Sequence, residues 1–258
     1  MAHYVEVADA IKMPGLRVVL TPTVPGPFSE AAKGILHVKK LKYVKARQDI
    51  LGPNPDLLRW TAQTTAPVAC WNDEPPRSTW IEQLFLFERL APTPRLIPED
   101  WDDRVLMFGL ANELAGENGF TWNRRHIMVR DFTRPDRDEQ TRAIYGALGK
   151  KYWYSDEAGA AAPHRCAEIL DRFTKRLEAQ HARGSRFLIG TSLSALDIYW
   201  ACVAAMLQPL PNDQCPMPDM FRDVYTNADP VVKNATSKIL MDHRDFIYRE
   251  YLELPIDL

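Results

Sequence analysis

The chain has few cysteines, and none is arranged for a disulfide framework or a metal site. The four are scattered without a Cys-X-X-Cys pair, at Cys70, Cys166, Cys202 and Cys215. Small disulfide scaffolds and thiolate zinc sites need denser or regularly spaced cysteines. His126 and His164 show no metal-ligand spacing either. We therefore expect no metal site and a reducing compartment, the cytoplasm.

The sequence also lacks long apolar runs and an excess of charge of either sign. No run reaches the ~18 residues that a membrane-spanning helix needs, and residues 1–12 lack the pattern of a secretory signal. The 32 basic residues nearly balance the 34 acidic ones, so neither nucleic acid nor an anionic membrane is an expected partner. One basic run is interpreted as a solvated face, formed by Lys33, Lys39, Lys40, Lys42, Lys45 and Arg47.

The composition is that of an ordinary folded protein long enough for two domains. Apolar residues make up 46% of the 258 residues and charged residues 26%, which allows a sizeable core. The prolines of residues 92–98 prevent a helix or strand from crossing that stretch, which favours a linker there. We predict one domain over residues 1–91, with 1–16 as an extension, and a second over residues 99–258.

Strands and helices alternate before the predicted linker. Short β-branched or apolar runs predict strands, and apolar residues at helical spacing predict helices. Strands are predicted at residues 17–20, 43–46 and 68–71, and helices at 28–41, at 54–60 and at about 81–90. Ser78 stands at the expected N-cap of the third helix.

Only helical patterns follow the linker. They are predicted at about residues 99–116, 138–148, 163–182, 195–207 and 233–251. The predicted fold class is α+β, with an all-helical second domain.

Three motifs together resemble the cytosolic glutathione transferase (glutathione S-transferase) superfamily, of which this chain would be a divergent member. They are Ala66-Pro67-Val68 at the third strand, Arg77-Ser78 before the third helix, and the capping box Ser194 to Asp197 preceded by Phe187 to Gly190. The resemblance covers the chain from about Arg17 onward. It implies a thioredoxin-like N-terminal domain and an all-α C-terminal domain.

The resemblance also implies a glutathione site. Pro67 would be cis and would present the backbone of Ala66 to the cysteinyl part of glutathione, while Ser78 would bind the γ-glutamyl carboxylate at a helix start. Arg77 departs from the family pattern, because an acidic residue normally stands there. Asp197 would bind backbone N–H groups inside the second domain, a structural role.

The loop after the first strand should hold the group that activates the thiol. Gly26 stands where some members of the superfamily carry a cysteine, which excludes a mechanism that uses an enzyme thiol there. The hydroxyls in the loop belong to Thr21, Thr23 and Ser29, and Thr23 is preferred because it lies in mid-loop. Backbone N–H groups from Gly26 to Phe28 are the alternative.

A substrate pocket is expected between the domains, with Phe108, Trp122 and Trp153 as aromatic lining. The resemblance implies a homodimeric enzyme that conjugates or reduces an apolar electrophile, with glutathione as co-substrate. Gly26 and Arg77 motivate an alternative, a non-catalytic binding or scaffold protein of the same fold. A related hydrolase or isomerase is a third hypothesis.

Overall fold

A three-stranded mixed sheet forms the centre of the N-terminal domain in the computed structural model, which describes residues 4–50 and 52–258. Its strands are β1 (Leu16–Leu20), β2 (Val44–Arg47) and β3 (Val68–Trp71), in the order β2-β1-β3. β2 runs parallel to β1 and β3 runs antiparallel to it. All five residues of β1 are buried, as expected for a central strand covered on both faces.

Within its described residues the same domain has four helices: α1 (Val7–Ala10), α2 (Pro27–Val38), α3 (Pro55–Thr61) and α4 (Trp80–Leu90). Proline opens both α2 and α3, where its missing N–H has no cost. The predicted extension is part of the fold from residue 4 onward. Val5 pairs with Ala46 on the outer side of β2, so this segment covers an edge that would otherwise be open.

The C-terminal domain is helical throughout the described residues. Its helices are α5 (Trp101–Ala115), α6 (Phe120–Phe132), α7 (Glu139–Lys151), α8 (Asp156–Ala182), α9 (Ala195–Val203), α10 (Asp219–Tyr225), α11 (Pro230–Ala235) and α12 (Lys238–Tyr251), with a 3-10 turn at Ala204–Met206. Every residue of α9 is buried. This helix packs against α2 of the first domain and against α5 and α12 of its own, so it joins the two cores.

The helix boundaries depart from the sequence patterns at several points. α6, α10 and α11 are separate helices that the patterns did not predict as such, and α8 begins seven residues before Pro163. α6 has no simple apolar stripe, because it buries Asn123, Arg124 and His126 with its apolar residues. Residues 92–98 contain no helix or strand, and the domain boundary placed there stays a prediction.

The interpretation of the basic run as a solvated face is wrong for Lys39, whereas Lys33 and Lys45 are partly exposed and paired. The Lys39 side chain is fully buried, and its Nζ lies 2.8 Å from Glu88 and donates to the carbonyls of Ala91 and Pro94. Lys33 pairs with the buried Glu30 at 2.8 Å, and Lys45 pairs with Asp257. Buried lysines need such partners, and these contacts hold the start of the linker and the C-terminal segment against α2 and β2.

Candidate functional site

The Ala66-Pro67 peptide bond is cis, as predicted. It opens β3, next to β1 in the sheet. The Ala66 N–H is not free, because it donates a 2.9 Å hydrogen bond to Oε1 of Gln48. Gln48 is itself buried, so a ligand that pairs with this N–H has to take the place of the Gln48 side chain.

Gln48 belongs to a polar chain that runs along the carboxyl ends of the parallel strands. The β1–β2 register pairs Leu20 with Arg47, which places Thr21 beside Gln48. Thr21 Oγ1 lies 3.4 Å from Gln48 Oε1 and 3.2 Å from the Ser29 hydroxyl, which also accepts from the Thr21 N–H at 3.0 Å. The hydroxyls of Thr21 and Ser29 are therefore engaged within the protein.

Thr23 differs from these two residues. Its side chain is exposed, and its backbone has a φ of 72°, a conformation that a β-branched residue rarely adopts. Such strain is concentrated at functional sites. Thr23 is thus a hydroxyl in this loop that remains open to a ligand.

Gly26 is the N-cap of α2 and has an ordinary φ of −59°. A Cβ atom at this position would lie 3.4 Å from Cβ of Thr21, an ordinary van der Waals contact, so a side chain would fit there. Its N–H already donates to the Val24 carbonyl at 2.7 Å, and Pro27 has no N–H. Of the predicted backbone donors, this leaves the N–H of Phe28, in the first turn of the helix.

The start of α4 is capped differently from the prediction. Thr79 is the N-cap, where the sequence predicted Ser78. Oε2 of Glu82 accepts from the N–H groups of Ser78 and Thr79, at 3.1 and 3.0 Å, and from the Thr79 hydroxyl at 2.9 Å. Partial burial of Glu82 raises its pKa, but these hydrogen bonds outweigh burial and hold the pKa below its usual value. An ionised carboxylate of the protein thus occupies the backbone N–H of Ser78.

Arg77 is fixed by its backbone and paired through its side chain. Its N–H and carbonyl exchange hydrogen bonds of 2.8 and 2.9 Å with Ala69 of β3. Its guanidinium lies 3.3 Å from Glu74, so its charge is partly balanced. The buried Gln83 donates to the carbonyls of Pro67 and Arg77 at 3.0 and 3.2 Å, which fixes the cis proline relative to α4.

The three predicted pocket aromatics fall into two groups. The Phe108 ring contacts Trp80 and Phe85, with centroids 6.4 and 5.5 Å apart. Trp122 and Trp153 contact each other at 5.9 Å, on the side where α6 and α7 meet the N-terminal domain. A pocket role for these three residues stays a prediction.

The cysteines do not supply a reactive thiol. All four are buried, and burial raises the pKa of Cys70 to about 11 and of Cys166 to about 12. Burial also raises the pKa of Cys202 and Cys215. Buried thiols with raised pKa values are inert.

Within residues 4–50 and 52–258, no group of histidine, cysteine, aspartate or glutamate side chains could hold a metal ion. No helix in the same part of the chain has the length and apolar character needed to cross a membrane.

Comparison with known proteins identifies the fold. No protein-family model and no curated protein matches the sequence. Among solved structures, a glutathione S-transferase domain-containing protein from Marinobacter aquaeolei matches with a TM-score of 0.64 at 14% identity, over 92% of this chain and 100% of that one. A glutathione S-transferase from Methylobacterium radiotolerans, in complex with glutathione sulfonate, matches with a TM-score of 0.59 at 16% identity, over 92% of each chain. The β-etherase LigF from Sphingobium matches with a TM-score of 0.58 at 16% identity, over 86% of this chain and 98% of that one.

These likenesses confirm the predicted fold class. The chain has the glutathione S-transferase fold, with a thioredoxin-like N-terminal domain and a helical C-terminal domain. Sequence analysis missed Gln48, Glu82 and Gln83, the side chains that bind the backbone groups of the site. The sequence pattern gave no signal for Gln48, because its position at the carboxyl end of β2, beside Thr21, follows from the strand pairing seen in the structure.

Proposed function

We propose that this protein binds glutathione between its two domains and transfers it to, or uses it to reduce, an apolar electrophile. The observation that carries the proposal is the cis Ala66-Pro67 bond beside the N-terminus of α2. A backbone edge of this kind pairs with an extended peptide, and a helix start favours an anionic sulfur. A structurally similar protein holds glutathione sulfonate, which supports the choice of ligand.

In this proposal Thr23 or the N–H of Phe28 donates to the glutathione sulfur and favours the thiolate. The thiolate is the reactive form, so lowering the thiol pKa raises the reactive fraction at neutral pH. Conjugation then forms a bond from sulfur to the electrophilic carbon, and the leaving group departs with the bonding electron pair. The exposure and backbone strain of Thr23 favour it as the donor.

Glutathione has to compete with two side chains of the protein. Its γ-glutamyl carboxylate would displace Glu82 from the N–H of Ser78, and its cysteinyl carbonyl would displace Gln48 from the N–H of Ala66. We therefore expect weak binding that improves when Glu82 is replaced. Glu82→Gln, which removes the charge but keeps the size, should tighten glutathione binding severalfold in calorimetric titration. Gln140→Ala on α7 serves as a control that should leave the affinity unchanged.

The test of the proposal places a thiol beside the expected position of the ligand sulfur. Gly26→Cys introduces a cysteine that the site can accommodate and that the α2 N-terminus should activate. Its thiolate would attack glutathione disulfide, form a mixed disulfide and release glutathione thiolate. The native cysteines are buried, so the modified residue can be identified by mass spectrometry.

The control is Gly146→Cys, because a side chain at that position of α7 meets open space. Both variants are treated with glutathione disulfide and with 2-hydroxyethyl disulfide, which lacks the peptide. For each variant the preference is the ratio of its reactivity with glutathione disulfide to its reactivity with 2-hydroxyethyl disulfide. If the glutathione site is present, this ratio should be about tenfold or more higher in Gly26→Cys than in Gly146→Cys, which is equivalent to ~1.4 kcal/mol of binding free energy. Equal preferences in the two variants would refute the glutathione site.

The contacts of Glu82 and Gln48 favour a second candidate, a binding or scaffold protein of this fold that does not use glutathione. Both side chains satisfy backbone groups that a ligand would otherwise bind. This candidate predicts no glutathione affinity in the wild type, in Glu82→Gln or in Arg77→Glu, which restores the acidic residue of the family pattern. Affinity in any of the three would exclude it.

We also propose that the protein is a cytoplasmic homodimer. Trp101 and Val105 on α5 and Phe85 on α4 expose large apolar surfaces, and the Phe85 ring stacks on Phe108 of α5 with centroids 5.5 Å apart. A second copy of the chain would cover these exposed side chains. Light scattering measures the molar mass in solution of the wild type and of Val105→Glu. The wild type should have the mass of a dimer, and the mass of the variant should shift towards that of a monomer.

A further inference from the structure

Two cations meet one aromatic ring where the end of α7 reaches the N-terminal domain. The guanidinium carbon of Arg125 lies 4.9 Å from the centre of the Tyr152 ring and 5.5 Å from that of Phe28. Nζ of Lys151 lies 5.7 Å from the centre of the Tyr152 ring and donates a 2.8 Å hydrogen bond to the Thr65 hydroxyl. Phe28 and Thr65 belong to the N-terminal domain, so both cations lie at the domain boundary.

Neither cation is neutralised by the protein. In the part of the chain that the structure describes, no carboxylate lies within ion-pair distance of Arg125 or Lys151, whereas the neighbouring Arg130 on the same helix pairs with Asp131 and Asp229. Arg125 is half-buried and uses one N–H group for the Thr121 carbonyl, at 2.9 Å. A guanidinium held between two rings is preorganised and weakly hydrated, which suits it to bind a carboxylate.

Aromatic surface continues from the cations to the solvent. Trp122 meets the Tyr152 ring edge-on at 4.9 Å and the Trp153 ring at 5.9 Å. Trp153 is 72% exposed and has a φ of 49°, so a large apolar side chain is held outward by a strained backbone. The buried His126 fixes this turn, because its Nε2 lies 2.8 Å from the Tyr152 carbonyl.

We propose that this cluster binds a planar aromatic carboxylate. Arg125 and Lys151 would bind the carboxylate, and the rings of Trp122 and Trp153 would contact the aromatic part. Thr65 directly precedes the cis peptide, so such an acid would lie next to the proposed glutathione sulfur. Its role as the second substrate rests on the proposed function, whereas its binding does not.

The test compares two electrophiles of similar shape, the anionic 4-chloro-3-nitrobenzoate and the neutral 4-chloro-3-nitrobenzamide, in which an NH2 group replaces one carboxylate oxygen. Calorimetric titration without glutathione should show that the wild type binds the benzoate about tenfold or more tightly than the amide, and that salt weakens this preference. Arg125→Met should abolish the preference, and the exposed Lys151→Met should reduce it. The control is Arg137→Met, because Arg137 also stacks on a ring, Phe132 at 5.0 Å, but at the opposite end of α7.

Equal affinities for the acid and the amide in the wild type would overturn the proposal. A preference that survives in both Arg125→Met and Lys151→Met, with melting temperatures near that of the wild type, would overturn it as well. Chloride release with glutathione is then measured separately. In that reaction the thiolate sulfur bonds to the ring carbon and chloride leaves with the bonding electron pair. Binding of the acid without chloride release would support the acid site and count against the transferase function.

Discussion

Replacing Asp197 should destabilise the protein more than the loss of any exposed helix cap. This carboxylate is completely buried at the start of α9. It accepts from the N–H groups of Leu188 and Ser194, at 2.8 and 2.9 Å, and from the Ser194 hydroxyl at 2.7 Å. Nε2 of His243 on α12 lies 3.1 Å away. The predicted capping box is thus present, and through His243 its carboxylate also joins α12 to the start of α9.

The size of the effect follows from these partners. In Asp197→Ala the two N–H groups, the hydroxyl and the imidazole lose their acceptor inside the core, and each unsatisfied group costs about 1 to 3 kcal/mol. Relief of the buried charge offsets part of that sum, so we expect a net loss of roughly 3 to 5 kcal/mol. Ser194→Ala removes one donor and should cost ~1 to 2 kcal/mol. For a chain of this length, a loss of about 4 kcal/mol lowers the melting temperature by roughly 10 °C.

Urea unfolding and thermal melts of both variants measure these losses. The control is Asp100→Ala, because Asp100 is an exposed N-cap that accepts from the N–H of Asp103 at 2.9 Å; its loss should cost about 1 kcal/mol. If Asp197→Ala were no more destabilised than Asp100→Ala, the buried carboxylate would not be satisfying the N–H groups as described.

Two further predictions concern a buried carboxylate and the loop hydroxyl. Burial raises the pKa of Glu30 to about 6, although Lys33 opposes the shift. A raised pKa in the folded state means that protonation stabilises the fold below pH ~4.5 and that this stability is lost as the pH rises through 6, by roughly 2 kcal/mol. The stability of the wild type relative to Glu30→Gln should therefore fall by about that amount between pH 4.5 and 7 in urea titrations, and a constant difference would contradict the assignment. Thr23→Val removes the proposed donor, so the pKa of bound glutathione should rise by roughly one unit and turnover should fall severalfold, as followed by thiolate absorbance. Thr23→Ser should retain activity, and an unchanged pKa in Thr23→Val would point to the N–H of Phe28 instead.

The sequence predicted those features that depend on local chemistry. The three strands, the start of α2 to within one residue and the capping box at Ser194 each follow from a few neighbouring residues with strong conformational preferences. The cis bond before Pro67 followed from resemblance, and the structure confirms it.

Features that depend on distant partners were not predictable. α6 buries Arg124 because its Nε reaches the Met206 carbonyl at 2.8 Å, and Lys39 is buried because it reaches the linker carbonyls. In each case the sequence alone suggests an exposed charged residue, but its side chain is buried and donates a hydrogen bond to a carbonyl far along the chain. Glu82 was missed for another reason. The capping box lies one residue later than predicted, with Thr79 and not Ser78 as the N-cap. The Glu82 carboxylate of this capping box therefore lies at the N–H of Ser78, where the γ-glutamyl carboxylate of glutathione was expected to bind.

The contacts of Asp257 with Lys33 and Lys45 close the chain into a loop, since the partners are 224 and 212 residues apart. The entropic cost of closing a loop grows only with the logarithm of its length, so this closure costs little more than that of a much shorter loop. Its consequence concerns cooperativity. Lys33 also pairs with the buried Glu30 inside the N-terminal domain, so detachment of the C-terminal segment would remove one partner of a lysine that belongs to a buried ion pair in the other domain. The two domains should therefore unfold in a single calorimetric transition, although their folds belong to different structural classes.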